Sequence, residues 1–111
     1  MQINEYKTGW LRKRYIIACT IIATDVPELE GKLPKAILEI EHALDYHTRD
    51  CKKVLIVVAA GQKSSRAHRP AMRERLEHEP QLKAIAGKVK IVASFLNRMG
   101  DNEGKFRIRK G

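Results

Sequence analysis

Apolar and polar positions along this chain change period several times, and each change marks an element. The run Val54-Leu55-Ile56-Val57-Val58-Ala59-Ala60, entered through Cys51-Lys52-Lys53 and left at Gly61, is almost continuously apolar and rich in β-branched residues. Such a run predicts a central strand of an α/β sheet, shielded on both faces. A second strong strand is expected over 15–24. Val89, Ile91, Ala93 and Phe95 alternate as a half-buried strand. Residues 2–6 fit a short edge strand, and Phe106 with Ile108 a final one after a loop over 99–104.

Elsewhere the period is helical. Leu33, Ile37, Ile40 and Leu44, with Ala36 and Ala43 beside them, form one apolar stripe. Asp25-Val26-Pro27 ends the preceding strand, residues 28–33 connect, and Pro34 suits the first turn of a helix ending near His47. Pro70 opens a second helix over 70–78 with Ala71, Met72 and Leu76 inward. Glu79-Pro80 interrupts it, because the residue before a proline disfavours the helical region. Leu82, Ile85 and Ala86 add a further turn that Gly87 closes. The expected fold is a single compact α/β domain over 1–111, order β-β-α-β-α-β-β, with a mixed sheet and two main helices.

Charge then narrows the partners. Twenty-two Lys+Arg against 13 Asp+Glu give a formal net charge of +9, which favours contact with something anionic. Basic residues gather at Arg12-Lys13-Arg14, over 63–75 and over 105–110, while residues 25–50 are acidic on balance. Arg12-Lys13-Arg14 and the apolar run behind it imitate a secretory signal. The run is too short and too β-branched for export or membrane insertion, and a buried strand is expected instead. Cys19 and Cys51 have no spacing motif and read as reduced thiols, which suits a cytoplasmic setting.

The loop after the central strand carries the candidate chemistry. Gly61-Gln62-Lys63-Ser64 lacks the upstream glycine of a phosphate-cradling P-loop. Lys63, Arg66, His68 and Arg69 precede or abut a helix N-terminus, where cations are disfavoured by about 0.3–1 kcal/mol each. An anion held by those side chains, by the Ser64 and Ser65 hydroxyls and by free backbone N–H groups would relieve the conflict. Arg73, one turn on, completes the expected binding surface for an acidic protein or a phosphorylated or otherwise anionic ligand. No cofactor is implied, and the four histidines lack the pairing a metal site needs.

Two other classes stay open. A small nucleic-acid-binding protein would use the three basic clusters, with Trp10, Tyr15 and Phe106 as stacking aromatics. A small hydrolase would use Ser64 or Ser65 with His68, although neither serine sits in a nucleophile elbow. Edges over 2–6 and 106–110 permit a homodimer through sheet extension, unless their charges block it.

The pattern 33–44, 54–60, a polar loop, 70–76 and 89–95 resembles the small STAS-type domains, which include anti-anti-sigma factors. The resemblance implies that a serine in the loop after the central strand can be a phosphorylation switch, and Ser64 or Ser65 falls in about that place; the residues themselves lead us to expect a non-enzymatic binding or regulatory module. The family's Asp-Ser-Ser-Gly-type signature is replaced here by Gln62-Lys63-Ser64-Ser65-Arg66.

Overall fold

The computed structural model describes residues 2–8, 14–46, 51–59 and 66–111. In chain order these form β1 (Gln2–Thr8), β2 (Arg14–Ile22), α1 (Val26–Tyr46), β3 (Cys51–Ala59), a 3-10 turn (Arg66–His68), α2 (Arg69–Glu77), α3 (Pro80–Ala86), β4 (Lys90–Leu96) and β5 (Asn102–Ile108). The α/β class and the order of strands and helices are those expected. The break at Glu79-Pro80 divides the second helical region into α2 and α3, so the described domain has three helices rather than two main ones.

All five strands lie in sequence order across one mixed sheet. β2, β3 and β4 run parallel, while β1 and β5 flank them antiparallel. Both crossovers step in the same direction, and the right-handed rule therefore places both helical connections on one face.

That geometry corrects one expectation. β3 is indeed central, but its residues are not shielded on both sides. Val54, Ile56 and Val58 are buried, whereas Lys53, Leu55, Val57 and Ala59 are only half-buried. On the neighbouring strands Ile17, Cys19 and Ile21 of β2, then Ile91, Ala93 and Phe95 of β4, face the helices, and Ser94 is the one residue of the opposite face of β4 that is also buried. An all-apolar run signals two covered faces only when crossovers fall on both sides of a sheet.

The core is the layer between sheet and helices. α1 contributes Leu29, Leu33, Ala36, Ile37, Ile40 and Ala43, α2 adds Met72 and Leu76, and α3 adds Leu82 and Ile85. Ala71, expected inward, is exposed. Burying such aliphatic side chains stabilises the domain by roughly 1.5–3 kcal/mol each.

α1 begins at Val26, well before Pro34, so residues 28–33 are helix and not a connector. Its start is fixed by Asp25, whose Oδ1 accepts from the Glu28 backbone N–H at 2.9 Å. Glu28 reaches back in turn: its Oε2 accepts from the Thr24 hydroxyl at 2.9 Å and from the Thr24 N–H at 3.2 Å. This reciprocal capping satisfies donors that a helix N-terminus otherwise leaves open. Pro34 therefore sits inside the helix, on its exposed side.

At the far edge, β5 starts at Asn102, within the stretch expected as loop. Phe95 pairs with Glu103 and Ala93 with Phe106, so Gly104 and Lys105 together oppose Ser94. Gly104 has φ +62°, the left-handed conformation that glycine supplies at such a bulge. An extra residue shifts the strand's alternation by one. Glu103 and Phe106, three apart, consequently face the helices together.

Candidate functional site

The carboxyl ends of β2, β3 and β4, the N-termini of α1 and α2, and the start of β5 share one rim. A cleft of ≈ 420 Å³ opens there, lined by Arg66, Arg69, Asn97, Arg98, Met99 and Glu103. It lies beside the β4–β5 connection and the start of α2. A doubly wound sheet opens a crevice where its crossovers diverge. Here they do not diverge, which removes that crevice from the middle of the sheet.

Arg69 is the fixed element of the cleft. Its Nη1 donates to Glu103 Oε2 at 2.8 Å, and its guanidinium carbon lies 5.4 Å from the Phe95 ring centroid. With an ionic partner on one side and an aromatic face on the other, the side chain is only 17% exposed. Arg66 approaches the same carboxylate oxygen at 3.7 Å but is 78% exposed, so its cation remains largely in water. Arg98 and Met99 are exposed on the opposite wall.

Asn97 organises that wall. Its Oδ1 accepts from the Met99 and Asp101 backbone N–H groups, each at 2.9 Å, closing the turn that carries Arg98. Its Nδ2 donates to Glu103 Oε1 at 2.7 Å. Glu103 thus has one oxygen on Asn97 and the other on Arg69. The hydrogen bond from Arg69, then that from Asn97, and the nearby guanidinium charges hold its carboxyl below the usual value.

The expected site residues separate. Lys63, Ser64 and Ser65, including both phosphorylation candidates, lie outside the described residues. Arg66 and Arg69 meet in the cleft. His68 occupies the N-cap of α2, exposed and without a side-chain capping bond. Arg73 points elsewhere: its Nε bonds Glu77 one turn on, and its guanidinium carbon sits 4.8 Å from the Phe106 ring centroid. Arg75 also has carboxylate partners, Glu79 at 2.6 Å and Glu30 at 3.1 Å.

An internal carboxylate therefore already answers the charge conflict at the start of α2. Glu103 supplies the anion that the local sequence around Arg66 and Arg69 lacks. Among the described residues the cleft still carries three guanidinium groups against this one carboxylate. Asn97, Arg98, Met99 and Glu103 were missed by sequence reasoning. The turn-forming Asn-x-x-Gly-Asp stretch was visible, but only the bulge at Gly104 turns Glu103 inward.

The aromatic candidates for nucleic acid are placed differently again. Phe106 is buried, its ring centroid 6.2 Å from that of Phe95, and cannot stack on a base from there. Tyr15 is half-buried, and Trp10 lies outside the described residues. The basic clusters do not merge: Arg66 and Arg69 stand at the rim, Arg73 and Arg75 on the helical layer, and Lys105 and Arg107 on the reverse of the sheet. Among the described residues no cluster of metal-ligating side chains exists, and no helix is long and apolar enough to cross a membrane. No family model, curated protein or solved structure matches the chain.

Proposed function

We propose that this protein is a non-enzymatic binding module whose rim cleft takes an anionic group, a phosphate or a carboxylate, presented by its partner. The observation that carries the reading is the convergence of Arg66, Arg69 and Arg98 on one cleft against the single carboxylate of Glu103. Guanidinium groups suit such ligands because their fork of N–H donors matches two oxygens at once. Glu103 acts as an internal stand-in: it keeps Arg69 oriented while the cleft is empty, and an incoming anion engages Arg66 and Arg98 before competing for Arg69. The STAS-type likeness fits the same role, with Ser64 or Ser65 as the modified residue just ahead of Arg66 in sequence.

Thermal unfolding with added inorganic phosphate or sulfate tests the proposal. A ligand that binds only the folded chain stabilises it by about 2.7 kcal/mol at a hundredfold excess over its Kd. The melting temperature is expected to rise with anion, to rise further for Glu103→Gln, and to stay flat for Arg66→Ala plus Arg69→Ala. Identical shifts in all three proteins, or none in the first two, refute it.

A further inference from the structure

The sheet face turned away from the helices is aliphatic at its centre and cationic at its margins. Ile16, Leu55, Val57, Val92 and Leu96 form the floor, each only half-buried, and Ile22 at its end is 52% exposed. Register joins these positions in rows: Leu55 lies between Ala18 and Val92 and Ala59 between Ile22 and Leu96, while in the row between them Val57 is flanked by the hydroxyl residues Thr20 and Ser94. Lys53 and Lys90 stand at one end, and Lys105 and Arg107 along the β5 side, where Arg107 pairs with Val92.

Among the described residues of β2 to β5, carboxylates avoid this face. On β2 to β5 the only acidic residue is Glu103, and the bulge at Gly104 turns it to the helical side. Glu28, Glu30, Glu39, Glu41, Asp45, Glu74 and Glu77 all belong to helices on the other side. The two faces of the sheet therefore differ in charge as well as in cover.

We infer that this face docks an acidic amphipathic helix of a partner protein, a contact separate from the anion cleft at the rim. A second copy of the chain would set like-charged faces against each other, which is unfavourable for a self-complementary contact. Nucleic acid would suit the cations but would lay polar backbone over an aliphatic floor. Among the described side chains of β3 to β5 that floor offers no aromatic ring for a base, because Phe95 and Phe106 lie on the helical side. A helix with leucine-like residues inward and Asp or Glu flanking them matches both floor and margin. β3 has nine residues, a length of about 30 Å at ~3.3 Å each, which a helix of about 20 residues spans. Such a helix would cover the second face of a parallel-centred sheet, the arrangement these sheets usually adopt.

The test is fluorescence anisotropy with a labelled helical peptide of about 20 residues, leucines on one face and glutamates beside them. Its partners are a scrambled peptide of the same composition, a lysine-for-glutamate version and a single-stranded oligonucleotide. The Leu/Glu peptide is expected to bind in the micromolar range at low salt, and the scrambled and lysine versions to fail. Lys105→Glu plus Arg107→Glu, both at exposed positions and verified folded by melting, should weaken binding about tenfold or more. Arg66→Ala plus Arg69→Ala should leave it unchanged, which separates this surface from the rim cleft. The inference is overturned by no binding at roughly 100 μM, by equal binding of the scrambled peptide, or by indifference to the β5 charge reversals. Tighter binding of the oligonucleotide, or a chain dimer that the peptide dissociates, would overturn it in favour of those occupants.

Discussion

Replacing Gly104 and, separately, Gly31 by alanine makes the same chemical change in two backbone settings, and the structure gives the two opposite signs. Gly104 has φ +62°, where a Cβ costs about 1–2 kcal/mol. An added Cβ would meet only the Phe95 Cδ2 atom at 3.5 Å, an ordinary contact, so the penalty is backbone strain and not a clash. The reduced freedom of the unfolded chain returns about 0.4–1 kcal/mol. Gly104→Ala should therefore destabilise by about 1 kcal/mol if the bulge persists. Straightening the strand instead would swing Glu103 away from Arg69 and lose that pair as well. Gly31 is exposed within α1, and a Cβ added there would meet nothing within 4 Å. At that position alanine should stabilise by about 0.5–1 kcal/mol through helix propensity. Urea unfolding reads both changes; at about 1–3 kcal/mol per molar urea, the two midpoints should part by roughly 1 M. A Gly104→Ala midpoint equal to or above that of the parent protein would refute the bulge argument, since nothing else requires glycine there.

Other consequences are simpler to state. Phe95→Ala should cost about 3–5 kcal/mol, because it opens a core cavity and removes the aromatic face beneath Arg69; a loss below about 1 kcal/mol in urea unfolding would contradict the packing. Glu28 and Glu103 both ionise below the ordinary 4.5 in the folded chain, Glu28 chiefly through its bond from the Thr24 hydroxyl and Glu103 through that from Arg69. Their contribution is thus complete above that ordinary value and lost as pH falls through the lowered ones. Glu103→Gln should flatten this acid-side decline, measured as urea midpoint against pH. Burial pushes the Cys19 thiol up to about 11 and raises Cys51 too, so both should alkylate slowly at neutral pH in the folded chain and rapidly in urea. Fast labelling of Cys19 in the native protein would place it outside the core.

What was legible in the sequence follows from where the determining interactions lie. Strand and helix periods report burial against the nearest layer, so β2, β3, β4 and the inward residues of α1 could be read from spacing alone. The start of α1 was legible in principle: Asp25-Val26-Pro27-Glu28 has an N-cap acceptor, an early proline and an acid three residues after the cap. Pro34 drew attention away because a proline suits a first turn better than an interior. Its place inside α1 shows that capping and the apolar stripe, which Leu29 extends by a turn, outweigh a local penalty of about 3 kcal/mol.

The site was less legible, for a reason that concerns distance along the chain. Arg66 and Arg69 announce a cationic helix start, but their partner Glu103 lies more than thirty residues away and reaches them only because Gly104 shifts the register of β5. No local pattern encodes that pairing. Sidedness was hidden for a related cause. Leu55 and Val57 are as apolar as Val54 and Ile56, and only the common direction of two crossovers leaves one pair covered and the other half-exposed. That residual apolarity then has a physical reading of its own. A face destined for water alternates to polar residues at every second position, as β5 does with Lys105 and Arg107 outward and Phe106 and Ile108 inward. β3 does not alternate beyond Lys53. The single sequence feature that failed to fix the cover of the central strand is accordingly the one that argues for a cover supplied by another molecule.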